Sequence, residues 1–184
     1  EDSKGDMHNW DVWHDNCPFV AYYRYSPRFC SEFGYQSFPS MEIAETFSTH
    51  EDILGQGPDF EWHQKNLGGN ERIRETMLRY FRPPKDVPSE LLLSQFQQAM
   101  AIKMAVEGWR AQRPVCMGTL FWQLNDIWPV ASWSSIEYGG KWKPLQSLAK
   151  RFYAPVAVMA LPEVVKGSVN VKKGDVFVLN DTNE

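Results

Sequence analysis

Three short strand-like runs, separated by helical patterns, constrain this chain more than any other feature. The runs lie near Met7–Trp10, Arg28–Ser31 and Val115–Gln123. Between the second and third, Ser40 is placed to cap a helix beginning at Met41, with Glu42 in its first turn. Asn70 is placed to cap another, in which Ile73, Met77 and Phe81 recur at helical spacing until Pro83-Pro84 stops it. Ser89 opens a longer helix with Leu92, Phe96, Ala99 and Trp109 on one face, ending before Pro114. Pro144, favoured at a first helical position, starts a last one through Leu148 towards Phe152. Strand, helices, strand, helix predicts an α/β fold of βα units around a parallel sheet. Three strands cannot close an eight-stranded barrel. The remaining strands of such a fold are therefore expected on sequence outside these residues.

After Pro155 the pattern changes. Val156–Leu161, Ser168–Val171 and Val176–Leu179 read as strands, with Gly167 and Gly174 as turn residues. No helical periodicity interrupts them.

The composition narrows the class. With 43% hydrophobic and 23% charged residues over 184 positions, the chain can bury an ordinary core. Its net charge of −4, without a basic cluster, argues against a nucleic-acid partner. No apolar run reaches the ~18 residues of a membrane helix, and Glu1-Asp-Ser-Lys is not a signal peptide. The three cysteines, Cys17, Cys30 and Cys116, are too few and too scattered for a disulfide framework and read as free thiols. The four histidines lack metal-ligand spacing, so no metal is expected. Asn180-Asp-Thr182 is a lone glycosylation sequon, which leaves the compartment open.

Aromatic content of 14%, with eight Trp, is the unusual figure, and the clusters Trp10 with Trp13 and Trp122 with Trp128 and Trp133 suggest a lined cleft. Sugar rings have apolar faces that stack on aromatics, and their hydroxyls bond to Asn, Asp, His and Glu. Within Arg28-Phe-Cys-Ser-Glu32-Phe-Gly-Tyr-Gln-Ser-Phe-Pro39, one carboxylate follows a strand-like run and Gly34 permits a turn straight after it. On the residues alone two readings of Glu32 stand. It is a reactive group at a strand's C-terminal tip, or a buried acid paired with Arg28.

Ser31-Glu32-Phe-Gly-Tyr-Gln-Ser-Phe-Pro-Ser40 resembles the nucleophile segment of the β-mannosidases of glycoside hydrolase family 2. Three further blocks fall in that family's order. They are Gly5-Asp-Met-His8-Asn-Trp10-Asp-Val-Trp13-His14, His63-Gln-Lys-Asn66-Leu-Gly-Gly-Asn70-Glu-Arg72 and Phe121-Trp122-Gln-Leu-Asn125-Asp126-Ile-Trp128-Pro129. Four ordered blocks make the resemblance specific.

The resemblance implies the C-terminal part of a TIM (β/α)8 barrel, about its last three strands, over residues 1–153. Residues 154–184 would begin an immunoglobulin-like β-sandwich. It implies a retaining exo-β-mannosidase that removes terminal non-reducing β-D-mannose, with Glu32 as the nucleophile and no cofactor. Arg28, four residues earlier, is expected within reach of Glu32 and to favour its ionised form. The acid/base Glu is expected in an Asn-Glu pair on an earlier strand, outside this chain, so the chain alone is expected to be inactive. Asn70-Glu71 opens a helix and is not that pair. Trp122 is expected as a platform for the sugar, with His8, Trp10, Asn125, Asp126 and His63 as further substrate-binding residues. For each of these a packing or turn-shaping role is the alternative. Related barrels place a Tyr against the nucleophile from the preceding strand, yet residues 5–14 contain none. Tyr22, Tyr23 and Tyr25 remain candidates. Two rival readings stand beside this one. Another family-2 exo-glycosidase, of the β-galactosidase, β-glucuronidase or exo-β-glucosaminidase type, keeps the chemistry. A carbohydrate-binding module explains the aromatics but not the ordered blocks.

Overall fold

The computed structural model describes residues 4–55, 57–165 and 168–182. Their order is β1 (Asp6–Asn9), α1 (Asp11–His14), a 3-10 segment (Phe19–Arg24), β2 (Phe29–Phe33), α2 (Met41–Ala44), α3 (His50–Gly55), α4 (Pro58–Trp62), α5 (Gly69–Tyr80), α6 (Val87–Arg110), α7 (Pro144–Phe152), β3 (Val156–Val165) and β4 (Ser168–Asn180). This is an α/β arrangement. It divides into two compact units, Glu1–Phe33 with Ala101–Phe121 and Leu148–Glu184, and Gly34–Met100 with Trp122–Ser147.

The first unit carries a parallel pair, β1 with β2. The register is Asp6↔Phe29 and Met7↔Cys30, then His8↔Glu32, so Ser31 is stepped over. An extra residue in one strand reverses the alternation of faces from that point. Accordingly Cys30 and Phe33, three apart, are both fully buried. Phe33 stacks edge-on against Trp109 at 4.9 Å between centroids, and Tyr22 meets both rings. Contacts of this kind contribute about 0.5–1.5 kcal/mol each beyond their burial. Trp109 also donates its indole N–H to the Tyr22 carbonyl at 3.2 Å, which ties the end of α6 to the 3-10 segment.

The expected third strand, Val115–Gln123, is reduced to one parallel bridge, Cys30↔Thr119. Met117 N–H donates to Arg28 O, Cys30 N–H to Gly118 O and Leu120 N–H to Cys30 O. A ladder this short is a bridge rather than a strand.

The second unit is helical around a polar-laced core. Phe38, Phe60, Ile53, Ile73 and Met77 are buried, and Phe38 lies 5.2 Å from Phe60. Three expected helix starts are corrected in detail. Ser40 stands at the N-cap of α2 in extended conformation, but its side chain bonds no helix N–H. The cap of α5 is Gly68 at φ +69°, a left-handed conformation that favours glycine. Asn70 lies within the helix, its amide bonded to Gln64 and Glu61. Helix α6 begins at Val87, before Ser89, and the Asp86 carboxylate accepts the Ser89 N–H at 2.8 Å.

The expected apolar face of α6 is also displaced. Leu92 and Phe96 are exposed, whereas Leu91, Gln95, Gln98, Ile102 and Trp109 are buried. The buried glutamines sit there because their amides find partners: Gln98 donates to Tyr35 O and Ser134 O, and Gln97 to Ile73 O. A hydrophobic count cannot see a buried amide whose N–H groups find acceptors. Helix α7 starts at Pro144 as expected.

In the first unit's tail, β3 and β4 form an antiparallel hairpin. Ser168–Asn180 is one long strand where two were expected. Gly174 is not a turn but lies opposite Pro162, beside the register shift at Pro162/Glu163. A Cβ there would meet the Leu161 carbonyl oxygen at 2.5 Å, so the strands approach at a glycine. Gly167, the other expected turn residue, lies outside the described residues.

Candidate active site

The first unit places Glu32 on β2, at the C-terminal end of a parallel pair, where α/β enzymes hold reactive groups. Its side chain is 32% exposed, open enough to meet a substrate. Trp10, just beyond β1, donates its indole N–H to Glu32 Oε2 at 3.1 Å. His8 Nδ1 stands 3.4 Å from the same oxygen. His8 and Trp10, both expected to bind substrate, are brought beside Glu32 by the structure.

Two finer expectations are corrected here. Among the described residues no ion pair joins Arg28 to Glu32. An extended strand advances about 3.3 Å per residue, so four residues separate them by roughly 13 Å. Arg28 instead lines a cavity of about 480 Å³ with Ser26, Pro114, Val115 and Met117. The tyrosines are also engaged elsewhere. Tyr22 is fully buried against Phe33 and Trp109. Tyr25 donates its hydroxyl to Asp11, which together with burial pushes its phenol up to about 12. Burial does the same to Tyr23. The donor found on Glu32 is the Trp10 indole N–H rather than a phenol.

Asp6 was not anticipated. Its Oδ1 accepts the Ser31 N–H at 3.0 Å and its Oδ2 the Ser31 hydroxyl. These bonds hold its carboxyl below the usual range. Asp6 Oδ2 also stands 3.6 Å from His8 Nε2. The only sequence signal was alternation: Asp6 and His8 share a face of β1.

The second unit holds the other expected residues. Trp122 is 45% exposed, and the peptide bond that follows it is cis. Asn125 is exposed and forms a bridge to Ile136. Asp126 is 9% exposed, with Oδ1 accepting the Ser132 hydroxyl at 2.7 Å and Oδ2 that of Ser134. These bonds tie it to the segment that follows, the arrangement the turn-shaping alternative requires. His63 is clamped between Phe47, at 3.8 Å, and Trp128, at 4.7 Å, with Nδ1 against the Pro129 carbonyl. Lys65 lies over the Trp62 ring at 3.6 Å.

Lys143 is the residue the sequence hid. It is fully buried, and its ammonium donates to Ser37 Oγ at 3.1 Å. Burial lowers its pKa to about 8, against the opposing pull of Asp126 and Glu137. Asn70-Glu71 is no catalytic pair: Asn70 is buried in its amide network and Glu71 is exposed on α5.

With a half-open carboxylate at a strand tip, held by an indole, the relatives decide the reading. The chain is 37% identical over 166 residues to the β-mannosidase of Capra hircus and equally to that of Bos taurus. It is 35% identical over 159 residues to β-mannosidase B of Aspergillus niger. The likeness is to β-mannosidases. A crystal structure of β-D-mannosidase from Dictyoglomus thermophilum superposes with a TM-score of 0.90 at 37% identity, covering all of this chain and 22% of that one. The aligned part is 83% or 84% of this chain, and it spans only about 18–19% of the curated relatives' length. No family model matches the chain.

Proposed function

We propose that this chain is the nucleophile-bearing part of a retaining exo-β-mannosidase of glycoside hydrolase family 2. On this reading residues 1–153 belong to the last three βα units of a TIM barrel, and residues 154–184 open an immunoglobulin-like sandwich. The substrate is a terminal, non-reducing β-linked mannose on an oligosaccharide or glycan.

The observation that carries the reading is the Glu32 carboxylate, half open at the tip of β2 and held by Trp10, in a chain 37% identical to β-mannosidases. Retention requires an ionised carboxylate about 5–5.5 Å from a second, protonated one. Glu32 attacks the anomeric carbon, and the partner acid protonates the departing glycosidic oxygen. The same partner then acts as base for the water that hydrolyses the glycosyl ester. That partner is supplied by the rest of the enzyme, so this chain alone is inactive. Trp122 presents its exposed indole to the sugar, and Asn125 offers an exposed amide for a hydroxyl. The chemistry draws on no metal or cofactor.

Trapping tests this directly. The full-length enzyme is treated with a 2-fluoro-mannosyl fluoride, digested and mapped by mass spectrometry. The adduct is expected on the peptide containing Glu32. Labelling of any other carboxylate overturns the assignment.

A further inference from the structure

The cluster around Glu32 contains more than an acid and its neighbours, because both contacts fall on one oxygen. Trp10 donates its N–H to Oε2 at 3.1 Å, and His8 Nδ1 faces that same atom at 3.4 Å. Among the described residues no hydrogen bond reaches Oε1. The far side of the imidazole is anchored in turn: Nε2 stands 3.6 Å from Asp6 Oδ2. Asp6 is itself fixed by two bonds from Ser31, one from the backbone N–H at 3.0 Å and one from the hydroxyl. Ser31 is the residue stepped over in the β1–β2 register, directly before Glu32. The chain of contacts therefore leaves β2 at Ser31, crosses to Asp6 and His8 on β1, and returns to β2 at Glu32.

We propose that Glu32 attacks through Oε1, while Oε2 is held by Trp10 and His8, and that Asp6 is the positioning residue that seats His8. The inference rests on the nucleophile reading above and deepens it. A carboxylate attacks with one oxygen and leaves the other as the ester carbonyl. A donor on the second oxygen fixes the carboxylate's rotation and takes up the charge left there as the first forms its bond. In the step itself, Oε1 bonds to the anomeric carbon. The bond from that carbon to the leaving oxygen breaks, and its electron pair goes to that oxygen, which takes the proton of the partner carboxylic acid. The indole N–H remains on Oε2 throughout. The bulge makes the arrangement possible, because it sets Glu32 opposite His8 rather than one residue further along.

Asp6 stands at one remove from the reaction and is nearly half exposed, with 49% of its side chain accessible, so its loss should leave the fold intact. Asn is a conservative test there, since its carbonyl can accept the Ser31 N–H while its amide faces the Ser31 hydroxyl and His8.

Two measurements on the full-length enzyme decide the matter. The first is a crystal structure of the 2-fluoro-mannosyl adduct. The ester oxygen is expected to be the one remote from Trp10, with the carbonyl oxygen within hydrogen-bond reach of the indole N–H. An adduct on Glu32 whose sugar is carried by the oxygen facing Trp10 overturns this inference and leaves the nucleophile reading standing. Absence of the adduct from Glu32 overturns both. The second measurement is steady-state kinetics of Asp6→Ala and Asp6→Asn beside their melting curves. Asp6→Ala is expected to lower kcat about tenfold, an order-of-magnitude loss for disturbed positioning, with KM and melting temperature unchanged. Asp6→Asn should restore most of the loss. An unaltered kcat in Asp6→Ala, or a loss that Asn does not restore, removes Asp6 from the role.

Discussion

Glu32 and Asp126 are both carboxylates in aromatic-rich segments, and their surroundings put them to opposite uses. Glu32 is about one-third exposed, with its two close partners gathered on one oxygen. Asp126 is buried, with a serine hydroxyl on each oxygen and the buried Lys143 nearby. The first environment leaves a lone pair pointed at whatever enters. The second has a donor on each oxygen and is closed to solvent. Charge and residue type do not separate a reactive acid from a structural one. Exposure, and whether the donors gather on one oxygen or close off both, does.

The largest effect should come from removing Glu32, the proposed nucleophile. Glu32→Gln keeps the shape and cannot form the glycosyl ester. The full-length enzyme is expected to lose at least about a thousandfold in kcat, equivalent to about 4 kcal/mol in the barrier, with its melting temperature unchanged. A variant that keeps more than about a tenth of the activity would falsify the nucleophile assignment and with it the contrast. Asp126→Ala should behave oppositely. It removes the acceptor of two buried serine hydroxyls, which keep only each other, and leaves Lys143 with one fewer counter-charge, a loss of about 3–5 kcal/mol in stability by analogy with broken buried pairs. Chemical denaturation reads the loss. A stable, fully folded Asp126→Ala protein with impaired mannose binding would return Asp126 to the substrate.

Lys143 sharpens the same contrast through pH. Its folded pKa of about 8 lies below the ordinary lysine value of 10.5, because burial penalises the ammonium. Between those two values the unfolded chain binds a proton that the folded chain does not. Stability from this group therefore rises with pH across that window and is absent below about pH 8. At about 1.4 kcal/mol per pH unit, the rise amounts to about 3 kcal/mol. Buried tyrosines and Cys30 titrate near or above the top of this range, with the opposite sign, because burial raises their folded values. The comparison is therefore with Lys143→Met, in which those contributions persist. Unfolding free energies of the two proteins from pH 7 to 10 should converge or cross as the lysine deprotonates. A constant difference would show that the ammonium stays charged.

The sequence was informative where local rules govern and silent where partners are distant. Helix α7 was legible because Pro144 fixes its start. Glu32 was legible because its segment is specific, and Trp10 and His8 because they sit in a second specific block. The buried face of α6 was not, since Gln95, Gln97 and Gln98 read as solvent-facing until their acceptors on Phe38, Ile73 and Tyr35 are known. Asp6 and Lys143 were invisible for the same reason. Each is defined by a serine far along the chain, Ser31 for one and Ser37 for the other. The bulge at Ser31 escaped because a parity change within five residues leaves no countable period.

The smallest expected effect concerns Trp122, which belongs to the second unit but is expected to share the openness of Glu32. Its indole is 45% exposed, so truncation removes little buried surface. A core tryptophan cut to alanine costs about 3–5 kcal/mol in stability. At this exposure the loss should stay well under that. Stacking against an apolar sugar face is an aromatic contact, and on the scale of such contacts its removal should weaken binding by about 1–1.5 kcal/mol, or roughly tenfold in Kd. Mannose titrations of full-length wild type and Trp122→Ala, recorded beside their melting curves, separate the two roles. A fall in affinity with an unshifted melt places the indole against the sugar. An unaltered affinity with a large fall in melting temperature makes Trp122 a packing residue like Trp109, and would restrict the open, substrate-facing chemistry of this chain to the cluster around Glu32.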